Sequence, residues 1–133
     1  MRLPLIAASV LAASAAFAAN NPLAAYRWSS RIVVASAETS DDPALARQRA
    51  IFDSFGAEAK ARDLVLVEAV GDGANARALR EALGIGGRGF AAALVGKDGG
   101  AKLRASHPLG AGELFPVIDA MPMRRQEMRE RRD

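Results

Sequence analysis

The chain carries one histidine, and it sits between a serine and a proline in Ser106-His107-Pro108. A serine hydrolase needs its imidazole facing the hydroxyl, so that the ring can take the proton. Neighbouring side chains on an extended segment point to opposite faces, which separates this pair. Beside a proline, His107 reads as a turn residue. Met121, Met123 and Met128 offer, with His107, the thioethers that favour monovalent copper. No methionine-rich repeat supports that set, so Met121 reads as a core filler and Met123 as packing for the gap beside Pro122. Gly84, Gly86, Gly87 and Gly89 look like a phosphate loop, but such a loop follows a strand and opens a helix. These glycines follow a helical segment and lead into a strand, which makes them a helix stop and a linker. Asp41, Asp42 and Asp53 lack calcium-loop spacing, and capping of the next helix accounts for the first two. No catalytic residue, cofactor site or metal site emerges from these residue types.

Cysteine is absent from all 133 residues. That removes thiol nucleophiles, Cys-ligated zinc, iron–sulfur clusters and dithiol redox work together. What remains is basic side chains. Lys97, Lys102 and Arg104 lie on one expected hairpin, and Arg124 and Arg125 open a charged tail in which Glu127, Glu130 and Asp133 interrupt further arginines. Glu127 and Arg131 are spaced as an i, i+4 ion pair, so the tail reads as a solvated helix. Lys97, Lys102, Arg104, Arg124 and Arg125 together form the candidate interaction surface. The formal charge of +3 is modest. It is weak evidence for an anionic partner and gives no reason to expect nucleic acid.

The elements that must hold these residues follow from apolar patterning. Half the chain is hydrophobic and a quarter is charged, a globular balance for one core. Met1-Arg2, the apolar run Leu3 to Ala16 and the small-x-small Ala16-Phe17-Ala18 form a secretory signal over residues 1–18. The run is shorter than the roughly 20 apolar residues of a spanning helix, so no membrane anchor is expected after cleavage. Residues 19–30 form a lead-in, with Tyr26 and Trp28 expected to pin it to the domain. The domain proper is expected over 31–121 and a charged helix over 122–133.

Arg31 to Ser36 is β-branched and suits a buried strand. Asp42-Pro43 opens a helix running from Ala44 to Arg62, with Gly56 inside it. Leu64 to Val70 is a second buried strand of the kind found in parallel sheets. A short helix from Ala76 to Leu83 stops at Gly84. Phe90 to Val95 is a third strand, and Asp98-Gly99 turns the chain into a fourth, Ala101 to Ser106. That strand alternates, with Lys102 and Arg104 on the solvated face of an edge. A last helix should start near Gly112, placing Pro116 in its first turn. The order β-α-β-α-β-β-α predicts a thioredoxin-like three-layer α/β/α fold on a mixed four-stranded sheet, followed by a helical tail.

Particular residues extend the likeness: Tyr26-Arg27-Trp28 and Arg31 before the first strand, Arg62-Asp63-Leu64 before the second, Gly96-Lys97-Asp98-Gly99-Gly100 at the hairpin, and Met121-Pro122-Met123-Arg124-Arg125 at the close. This combination resembles a family of short exported bacterial proteins classed as a domain of unknown function. Related domains occur in extracellular sushi-repeat and coiled-coil-domain matrix proteins. The resemblance covers nearly the whole mature chain and implies a thioredoxin-like fold and export, periplasmic or secreted. It brings no activity with it. Thioredoxins carry a dithiol between first strand and first helix, where this chain has Ala37-Glu38-Thr39-Ser40-Asp41-Asp42. They carry a cis-proline before the third strand, where it has Gly87-Arg88-Gly89. The leading expectation is a non-catalytic, cofactor-free binding module whose partner is an envelope protein or an anionic surface. The alternative is an envelope enzyme of non-thiol chemistry.

Overall fold

The structure, a computed structural model, describes residues 21–131. The expected signal at 1–18 and the final residues of the tail lie outside the described residues. A 3-10 turn over Ala24–Tyr26 precedes strand β1 (Arg31–Ala37), helices α1 (Pro43–Phe55) and α2 (Ala57–Ala61), and strand β2 (Leu64–Val70). Helix α3 (Ala74–Leu83), strands β3 (Ala91–Val95) and β4 (Ala101–Ala105), and helices α4 (Ala111–Asp119) and α5 (Pro122–Arg131) complete the chain.

The sheet order is β2-β1-β3-β4, with β1 parallel to β2 and the other pairs antiparallel. β1 is central and covered on both faces, so all seven of its residues are buried. Ile32 and Val34 meet Leu79 and Leu83 of α3 on one face. Val33 meets Phe55, Leu114 and Ile118 on the other. Each such fully buried aliphatic side chain contributes about 1.5–3 kcal/mol. These layers make the thioredoxin-like α/β/α arrangement that the residue pattern predicts. β4 is the edge it was expected to be, with Lys102 and Arg104 exposed. No helix among the described residues is long and apolar enough to cross a membrane.

Several boundaries differ from expectation, each for a local reason. The first helix does not run through Gly56. With φ +54° and ψ −123°, a combination that clashes for any residue with a Cβ, Gly56 ends α1 and starts α2. At the hairpin, only Gly99 takes a positive φ (+87°). The Gly99 N–H reaches Gly96 O and the Gly96 N–H reaches Gly100 O, so the loop is a three-residue turn and not a two-residue one. Pro116 lies in the second turn of α4, because the helix already begins at Ala111. The one hydrogen bond it forfeits would have gone to Gly112, which is exposed and open to water. Burial of Leu114 and Ile118 offsets the loss.

The lead-in is pinned by Leu23 and by a partly buried Tyr26, not by Trp28. Trp28 is 61% exposed and Met123 39% exposed, so neither fills the packing role expected of it. One buried polar residue stitches the layers. The Gln48 amide on α1 donates to Leu109 O at 2.9 Å and accepts from the Leu109 N–H at 2.7 Å. It thereby satisfies both backbone groups of a residue with no access to water.

Candidate functional site

The β1–α1 loop, where thioredoxins keep their dithiol, carries no thiol here. Glu38 to Asp41 are exposed, and the Thr39 hydroxyl donates to Asp41 Oδ1 at 2.6 Å. Asp42 Oδ1 accepts from the Ala44 N–H at 2.8 Å and so caps α1. Asp41 does not share that role, contrary to expectation. No cis peptide bond occurs among the described residues. With no cysteine anywhere in the sequence, the chain is not a dithiol oxidoreductase. His107 is exposed and lies 2.8 Å from Glu113 Oε2, and that hydrogen bond holds the Glu113 carboxyl below the usual range. Among the described residues no group of three or more His, Asp and Glu is placed to hold a metal ion.

A buried ion-pair network lies under the C-terminal helix. Arg31, at the head of β1, has no exposed surface. Its Nη1 and Nη2 donate to Glu127 Oε1 and Oε2, both at 3.0 Å, and Nη1 also donates to Arg62 O at 2.9 Å. Lys97 Nζ donates to Glu127 Oε2 and Asp63 Oδ2, each at 2.8 Å. Arg131 Nη2 reaches Asp63 at 3.0 Å. Arg62 makes a two-pronged pair with Asp119, and Arg124 donates to Asp119 and to Ala61 O. Burial pushes the Glu127 carboxyl up, but the hydrogen bonds and charges of Arg31 and Lys97 outweigh it and hold the group below its ordinary value. The same competition holds Asp63 down through Lys97 and Arg131, and Asp119 down through Arg62 and Arg124.

This placement corrects the candidate surface. Lys97 is 8% exposed and Arg124 3% exposed, so both belong to the interior network. The tail helix is not solvated all round: Glu127 turns inward to Arg31 and Lys97, while Arg131 reaches Asp63. Lys102, Arg104 and Arg125 are at the surface. Lys102 Nζ pairs with Asp98 at 2.8 Å, and Arg104 Nε donates to Leu83 O at 2.7 Å. Sequence reasoning also missed Arg80. From α3 it donates to Ser36 Oγ, Ala37 O and Ala69 O, tying together the ends of the parallel strands. Its one signal was an arginine on the apolar side of a short amphipathic helix.

Beside the β3–β4 turn the surface opens into a cleft of about 180 Å³. Met121, Pro122 and Met123 supply its apolar wall, and Gly96, Asp98 and Lys102 supply the turn side. Arg31 and Lys97, both buried, lie at its base. The lead-in meets the same turn: the Trp28 N–H donates to Lys97 O at 2.7 Å and Arg27 Nε donates to Asp98 O at 3.2 Å. The Arg27 guanidinium stands 5.7 Å from the Trp28 ring centroid. Trp28 has a φ of +69°, where a side chain meets its own backbone. A bulky exposed residue held in that conformation costs stability without returning buried area. Replacing Trp28 by glycine should therefore give a protein about 1 kcal/mol more stable than replacement by alanine, read by urea unfolding. Equal stabilities would show that the backbone carries no such strain.

The family model described as Domain of unknown function (DUF4174) matches residues 22–127. The chain belongs to this family. The DUF4174 match includes Arg31, Lys97 and Glu127 of the buried network and the lead-in with Trp28. No curated protein matches the chain.

Proposed function

We propose that this DUF4174 chain is an exported, non-catalytic interaction module of the cell envelope that docks a partner protein around the β3–β4 turn. One observation carries the reading. Trp28 and Met123 are the exposed large hydrophobics among the described residues, and both belong to segments that meet that turn. Tryptophan, arginine and methionine are enriched where interfaces concentrate their energy, and Arg27 and Lys102 give the patch a basic rim. Strain retained at Trp28 supports the same reading, since such strain persists where function uses it. The signal-like first 18 residues support export.

The test compares retention of envelope proteins by the immobilised protein and by two variants. Trp28→Ala combined with Met123→Ala should lose a retained partner at least tenfold. Arg47→Ala, exposed on α1, should keep it. Equal retention by both variants would remove the turn as the docking surface. Binding to acidic vesicles that disappears with added salt would assign the basic rim to a membrane instead.

A further inference from the structure

Several donors beside the cleft are not used within the chain. Arg31 Nε is buried and makes no hydrogen bond, although Nη1 donates two and Nη2 one. An ammonium has three N–H groups. Lys97 uses two of them, on Asp63 and Glu127, and Lys102 uses one, on Asp98. Asp98 is already committed, with Oδ1 accepting from the Gly100 N–H and Oδ2 from Lys102. A buried donor left without an acceptor is unfavourable. Here such a donor sits with two under-used ammonium groups, beside a wall of two methionines and a proline.

We propose that the cleft captures the C-terminal residue of a partner polypeptide, its carboxylate taken by Arg31, Lys97 and Lys102 and its apolar side chain by Met121 and Met123. The proposal rests on the docking reading above and names what enters the site. Size favours a single residue. The volume of about 180 Å³ is worth roughly six waters at about 30 Å³ each and falls short of the roughly 300 Å³ where small-molecule sites begin. A chain terminus is the unit of polypeptide that carries a carboxylate and an apolar side chain on one residue. The rim is formed by surface side chains. Lys102 lays its stem over Gly96, where an added Cβ would stand 2.8 Å from Lys102 Cε, and Met123 is partly exposed. Entry of the carboxylate moves these two side chains and gives Arg31 Nε its missing acceptor.

The experiment is a nuclear magnetic resonance titration of the protein with acetyl-Ala-Ala-Leu, once with a free C-terminus and once as the amide. The free acid should shift the Gly96, Asp98 and Met123 amides saturably, and the amide should bind at least tenfold more weakly. Gly96→Ala, which forces the Lys102 stem into the cleft, should abolish the shifts. Lys102→Gln, which leaves the space intact, should weaken them several-fold. Absence of saturable shifts, equal binding of acid and amide, or unchanged binding by both variants would overturn the proposal. If the peptide fails while partner retention still depends on Trp28 and Met123, the terminus reading falls and the docking surface stands. If the peptide binds and retention ignores those residues, terminus capture stands and the docking surface falls.

Discussion

Replacing Glu127 by alanine should destabilise the protein by about 3–5 kcal/mol, the loss expected when one partner of a buried ion pair is removed. The carboxylate is the shared acceptor of two buried cations, Arg31 and Lys97. Without it, Arg31, whose side chain is 1% exposed, keeps only its bond to Arg62 O and loses its paired carboxylate. Lys97 keeps Asp63 and loses its other acceptor. Glu130→Ala, on the exposed face of the same helix, should stay within about 0.5 kcal/mol of the parent. Urea unfolding of both variants decides the matter, and similar midpoints for the two would show that the network does not hold α5 to the sheet. The double replacement Arg31→Met with Glu127→Leu should lose less than the two single losses summed, because neither leaves the other's charge stranded.

Acid should loosen the fold through the same groups. In the folded protein Asp63, Asp119 and Glu127 are held below their ordinary values, which are 3.8 for Asp and 4.5 for Glu. The unfolded chain, with ordinary values, binds more protons in that window, so stability falls as pH falls. The contribution is fully present well above 4.5, the Glu reference, and is lost progressively as pH drops through 3.8 toward the lower folded values. The urea midpoint should therefore be lower at about pH 3 than at about pH 6, and Glu127→Ala should show a smaller drop. A midpoint that holds or rises on acidification would mean that these carboxylates gain nothing from their partners.

The sheet was legible because its strands are apolar runs and its edges are marked. Arg31 to Ser36 and Leu64 to Val70 could only be covered strands, and the Lys102–Arg104 alternation marked β4 as an edge. The network was not legible. Glu127 is separated from Arg31 by 96 positions, and on a helix rich in charge nothing local distinguishes an inward glutamate from a solvated one. Lys97 was read as surface because it sits in a turn, yet its stem runs inward to Asp63 and Glu127. Local spacing placed Trp28 as an anchor. The Trp28–Lys97 backbone bond, made to a turn that is distant in sequence but lies beside the start of β1, instead holds it outward. The closed reaction centre, by contrast, was readable at once, since absent cysteines need no coordinates.

On the docking reading proposed above, a partner meets the β3–β4 turn and not the β1–α1 loop. Photo-crosslinking in living cells tests it most directly, with the reactive side chain placed at Trp28 in one strain and at Thr39, in the β1–α1 loop, in another. Position 28 should give a discrete adduct and position 39 none. An adduct from position 39 with none from position 28 would contradict it.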